Sequence, residues 1–149
     1  MGTRWIKTAV IIGLGAALSA PVLAQEATPQ QDLLFQLNNA ETVDTSCQVT
    51  FVVQNNTGVA IANSAYSMSV VDSTGRVRML ITFEFGAFPM GRPKVQQFAL
   101  ADLACADISA ISINEFVSCS DAAGAPLPVC ESALKASSLV AGIQFPWSL

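Results

Sequence analysis

The chain has 149 residues, seven Lys and Arg against eleven Asp and Glu, a net charge of −4, and 52% hydrophobic residues. It contains no histidine. That excludes Ser-His-Asp and Cys-His catalysis, His-ligated zinc, copper or haem, and any histidine-based pH switch.

The chain begins with a short basic stretch carrying Arg4 and Lys7, then an uncharged, mostly apolar run from Thr8 to Ala20. Thirteen residues are too few to cross a bilayer core, which needs roughly 20. A basic start, a short apolar run and the small-residue exit Val22-Leu23-Ala24 form the pattern of a cleavable signal peptide. Cleavage is expected after Ala24. No Arg-Arg pair is present and no cysteine follows the run, which points to the general secretion route without a lipid anchor. The exported chain, residues 25–149, keeps five basic and all eleven acidic residues and carries a net charge of −6. An acidic balance disfavours nucleic acid and anionic membrane surfaces as partners. A bacterial periplasmic or secreted location is therefore expected, with no later membrane span.

Residues 25–32 are polar and contain Pro29, as expected of a flexible lead-in. A single domain of ordinary size then covers 33–149. Leu33 to Leu37 opens it with an apolar stretch. Cys47 to Gln54 alternates Cys47, Val49, Phe51 and Val53 with Gln48, Thr50, Val52 and Gln54, a strand with one buried face. Asn55-Asn56-Thr57-Gly58 ends it as a turn; Asn55-Asn56-Thr57 also matches the glycosylation sequon, read here only as a turn. Ala65–Val71 and Arg76–Phe85 flank the turn Asp72-Ser73-Thr74-Gly75 and form a hairpin, with Val77, Met79, Ile81, Phe83 and Phe85 on one face. Residues 86–93 are a loop. Lys94–Leu100 and Ile108–Ser118 are further strands. Residues 121–128 make another loop, Glu131–Ser138 is expected to hold a helical turn or two, and Leu139–Leu149 alternates as a last strand.

Six to eight short strands at this spacing indicate an all-β fold: an antiparallel β-sandwich of about seven strands. In architecture it resembles immunoglobulin-like or fibronectin-like domains. Both tryptophans, Trp5 and Trp147, lie outside the cysteine span, so the Cys…Trp…Cys spacing of a true immunoglobulin domain is missing. The C-terminal aromatic alternation invites comparison with outer-membrane barrels, but the terminal residue is Leu and the strands are short for spanning a bilayer.

Cys47, Cys105, Cys119 and Cys130 all follow the signal segment, and an even number in an oxidising compartment predicts two disulfides. Without a close Cys-x-x-Cys pair, a structural zinc site is disfavoured. If Cys47–Gln54 pairs antiparallel with Lys94–Leu100, Cys47 falls beside Cys105, and Cys119–Cys130 closes the 121–128 loop. The immunoglobulin-style alternative is Cys47–Cys119.

No Gly-x-Ser-x-Gly, phosphate loop, calcium loop or cofactor motif occurs. The acids Asp102, Asp107, Glu115, Asp121 and Glu131 are close in sequence, and two of them in one pocket would support hydrolysis. Four of the five basic residues of the exported chain, Arg76, Arg78, Arg92 and Lys94, bracket an aromatic segment containing Phe88. Together they are the candidate partner-binding surface; the plainer reading has the phenylalanines in the core and the charges paired with Asp72 and Glu84. The expectation is a non-catalytic binding or structural module of the cell envelope. The alternative is a small carboxylate-based hydrolase or inhibitor-like protein.

Overall fold

The structure, a computed structural model, describes residues 1–2 and 31–147. The expected signal peptide and most of the expected lead-in lie outside the described residues. Seven strands follow one another: β1 (Leu33–Val43), β2 (Ser46–Asn55), β3 (Asn63–Asp72), β4 (Val77–Glu84), β5 (Lys94–Leu100), β6 (Ile108–Ser120) and β7 (Leu134–Ser138). A short helix, α1 (Val129–Ser132), precedes β7, and Cys105–Asp107 forms one 3₁₀ turn. The strands make two sheets, ordered β5-β2-β1-β7 and β4-β3-β6. This is the expected β-sandwich of seven strands.

Alternation drives the pairing. Leu33, Phe35 and Leu37 of β1 and Cys47, Val49, Phe51 and Val53 of β2 are buried in the core. Tyr66, Met68 and Val70 of β3 and Ile111 and Ile113 of β6 meet them from the other sheet. Phenylalanines fill the space between. The Phe35 ring lies 4.8 Å from Phe85 and 5.0 Å from Tyr66, and Phe83 lies 4.5 Å from Phe98. Most of these pairs are edge-to-face or tilted, the arrangement ring quadrupoles favour. Burial of each such side chain is worth roughly 1.5–3 kcal/mol.

Both disulfides form as expected, Cys47–Cys105 and Cys119–Cys130. The cause is register: β2 pairs antiparallel with β5, Cys47 opposite Leu100, so the chain leaving β5 passes beside Cys47. The Tyr66 hydroxyl, buried in the same core, donates to the Cys130 carbonyl at 3.1 Å. Burial raises its pKa well above the ordinary tyrosine value.

Four expectations need correction. β7 occupies Leu134–Ser138, where a helical turn was expected; the helix is shorter and earlier. Leu-Lys-Ala-Ser-Ser has no strong local preference, and pairing with β1 decides its state. That pair is parallel, so the sandwich is not wholly antiparallel. Residues 139–147 do not form a regular strand. They cross from the first sheet to the second and touch β6 through isolated bridges at Ala110–Gln144 and Ile113–Trp147. The alternation survives, with Ile143 and Phe145 buried. Finally, Val77 does not share the core face of Met79 and Phe83. Val70 pairs with Met79 but Val71 with Val77, so Arg78 is an extra residue in a bulge. The one-residue slip turns Val77 outward, where it is 56% exposed.

Candidate functional site

The sandwich has two long sides, and they differ. On one, the chain leaving β7 switches sheets and lies along β6, so backbone covers the seam: Gln144 N–H donates to the Ser109 carbonyl and Ile111 N–H to the Gln144 carbonyl, both at 2.9 Å. On the other, β4 and β5 are both edge strands that do not pair with each other. Between them Met79, Ile81 and Phe98 pack against the core but are only half-buried. Leu80, on the outward face of β4, is 67% exposed.

The residues singled out from the sequence border this open side, but not as one patch. Arg76 and Arg78 stand where β3 turns into β4, and Arg92 and Lys94 where the 86–93 loop enters β5. Six strand residues, Met79 to Glu84, at about 3.3 Å each separate the two pairs by roughly 20 Å. Arg78 approaches Asp72 at 3.7 Å, the ion pair expected by the plainer reading. Asp72 is the keystone of its turn. It accepts from the Thr74 hydroxyl at 2.6 Å, the Thr74 N–H at 2.9 Å and the Arg76 N–H at 3.0 Å. The Thr74 hydroxyl is the main reason its carboxyl titrates below the ordinary range, helped by the Arg76 N–H.

Phe88 is not a surface anchor. It is 1% exposed, 5.6 Å from the Phe35 ring and 5.9 Å from Phe85. The Lys94 ammonium is held in place: it donates to the carbonyls of Phe85 and Ala87 and sits 6.0 Å from the Phe88 ring centre. Phe88 and Lys94 therefore fasten the 86–93 loop. Arg76, Arg78 and Arg92 remain exposed.

The other anchor of that loop is Asn55, which sequence reasoning took only as a turn residue. Its amide donates to the carbonyls of Val59 at 2.9 Å and Phe88 at 3.1 Å. Its oxygen accepts from the Thr57 N–H at 3.1 Å and hydroxyl at 2.7 Å. With all four bonding positions used and the side chain buried, Asn55 is a structural latch.

Side chains of β5 also serve β4 directly. Gln96 Nε2 donates to the Glu84 carbonyl at 3.2 Å. This carbonyl points away from β3, toward the open side. Register is regular from Met79 to Glu84, so the alternation places the backbone N–H and C=O of Leu80 and Thr82 on the same free edge. Among the described residues, no hydrogen bond reaches that edge upstream of Glu84 apart from those of the strand pairing itself.

No acid pair is assembled among the described residues. Asp102, Asp107, Glu115 and Glu131 are exposed and on separate turns, strands and a helix, and Asp121 spends one carboxylate oxygen on the N–H groups of Ala123 and Ala125, both at 2.9 Å. An open cleft of about 620 Å³ lies beside the sheet-switching segment, lined by Val71, Ser109, Ala110, Ser138, Ile143 and Gln144. Its hydroxyls are already used. Ser109 donates to the Asp72 carbonyl and Ser138 to the Ile143 carbonyl, each at 2.6 Å. Among the described residues, no group of three metal-ligating side chains occurs and no helix is long and apolar enough to cross a membrane.

No protein-family model and no curated protein matches the sequence. A solved structure, IrmA from Escherichia coli, is similar in fold, with a TM-score of 0.56 and 14% sequence identity; the match covers 72% of this chain and 92% of that one. The likeness is one of fold.

Proposed function

We propose that this chain is an exported, disulfide-held β-sandwich that binds a component of the bacterial cell envelope and performs no catalysis of its own. The observation that carries this reading is the open β4–β5 side. It is half-exposed apolar surface beside a free strand edge, bordered by four of the five basic residues that follow position 24. Surface of that kind suits a protein partner. The absence of histidine and the exposed, dispersed acids support a binding role over hydrolysis. Two disulfides support life in an oxidising compartment, the periplasm or the medium. The general secretion route, with cleavage before Gln25, would deliver the chain there.

The test has two readouts. The full chain is produced in a bacterial host, and the N-terminus of the exported form is sequenced; Gln25 is expected. The exported form is then immobilised and exposed to envelope extract. A saturable partner, displaced by free protein, is expected. Retention of the first 24 residues would refute the export reading, and no saturable partner would refute the binding reading.

A further inference from the structure

We infer that the free edge of β4 takes up an extended, acidic segment of a partner protein as an added strand. This rests on the binding-module reading and specifies its chemistry. Three features meet along this edge. The first is the unpaired backbone. The N–H and C=O groups of Leu80 and Thr82 point outward from β3, and among the described residues only the Glu84 carbonyl, at the end, is capped by a side chain. A guest strand can supply the missing ladder partners.

The second is the apolar seam behind the edge. Met79, Ile81 and Phe98 are half-buried where the two sheets part. On the opposite side of the sandwich, this chain closes the equivalent seam with its own residues 144–147 lying along β6. A guest on β4 would do the same here, covering Met79 and Ile81 with one set of alternate side chains. Leu80 would lie beside the other set.

The third is charge. Arg76 and Arg78 stand at one end of β4, Arg92 and Lys94 at the other. Against these four cations on this side are Asp72, taken up by its turn and Arg78, Glu84 on β4 itself, and the exposed Asp102 just past the end of β5. The side is therefore net positive on a chain that is otherwise acidic. An acidic guest is steered to it and held at both ends. A second copy of this chain pairing through the same edge would bring the two sets of cations together, which disfavours self-association there.

The test uses the exported protein with its disulfides intact and three blocked octapeptides. Each has valine at alternate positions, with glutamate, glutamine or lysine between. Amide NMR shifts and hydrogen exchange are followed at β4. The glutamate peptide is expected to bind, to slow exchange at Leu80 and Thr82, and to bind at least about tenfold more tightly than the lysine peptide. Leu80→Pro removes one edge N–H at a position where an edge strand tolerates proline. It is expected to weaken the glutamate peptide at least about tenfold while the melting temperature holds. Thr82→Pro serves if Leu80→Pro fails to fold, and the charge series decides alone if both fail.

Several results would overturn the inference. They are equal affinity for the glutamate and lysine peptides, no shift at millimolar peptide, protection at β7 or residues 144–147 instead of β4, or protection that grows with protein concentration without peptide. An envelope partner captured equally well by wild type and Leu80→Pro would also overturn it, while leaving the binding-module reading standing.

Discussion

Asn55→Ala is the substitution whose effect follows most directly from the geometry. The Asn55 amide bridges two segments: its own turn, through Thr57 and Val59, and the distant 86–93 loop, through the Phe88 carbonyl. Alanine leaves the Phe88 carbonyl and the Thr57 N–H buried without these partners. The Val59 carbonyl keeps a weaker contact from the Thr57 hydroxyl at 3.4 Å. Two orphaned buried groups cost about 1–3 kcal/mol each, so a loss of about 2–6 kcal/mol is expected. For a domain of this size that lowers the melting temperature by roughly 10–20 °C. The assay is equilibrium urea unfolding, read as a fall in midpoint at unchanged slope. Asn56→Ala is the control. That side chain makes no hydrogen bond among the described residues, and its replacement should stay within about 0.5 kcal/mol of wild type. Asn55→Ala within the same margin would refute the latch.

Removing Cys47–Cys105, whose partners are 58 residues apart, should cost about 4 kcal/mol, and removing Cys119–Cys130, 11 apart, about 3 kcal/mol; non-reducing peptide mapping that linked Cys47 to Cys119 would contradict both assignments. Asp72 titrates below its ordinary value in the folded chain, so its contribution to stability is present above that value, near 3.8, and is lost as pH falls through the lowered folded pKa. Acid unfolding of Asp72→Asn should therefore be flatter than that of wild type below about pH 4; identical acid limbs would remove the turn network from the account. Ser112 is fully buried and its hydroxyl has no partner among the described residues, so Ser112→Ala should be neutral or stabilising by about 1 kcal/mol, and a loss beyond that in urea unfolding would show that the hydroxyl has a partner.

The sandwich was legible because its central strands carry their burial in the sequence. The alternation of Cys47–Gln54 marks a one-sided strand, and the hairpin around Asp72–Gly75 is written in its turn residues. Given those, the antiparallel register of Cys47 opposite Leu100 makes the disulfide pairing a matter of geometry. What stayed hidden depends on contacts remote in sequence. Leu134–Ser138 is a strand because β1 offers an edge, not because its residues prefer extension. Val77 faces outward because Arg78 is a bulge, which alternation alone cannot register. In the candidate site, the clustering of Arg76, Arg78, Arg92 and Lys94 was visible, but their separation to opposite ends of β4 was not. Phe88 lies in a loop, and partners remote in sequence, among them Asn55, the Ile61 carbonyl and the Phe35 ring, draw it into the core. The free edge has no sequence signature, since being an edge is decided by which strands fail to arrive.

Site-specific crosslinking in the cell envelope shows whether the β4 edge meets a partner in place. A photoreactive side chain is placed at Leu80, on the free edge, or at Leu139, which is comparably exposed where the chain leaves β7 on the closed side. A discrete adduct to a partner protein is expected through position 80, abolished by Thr82→Pro, and none through position 139. An adduct through 139 alone, or equal adducts through both, would contradict binding at the β4 edge.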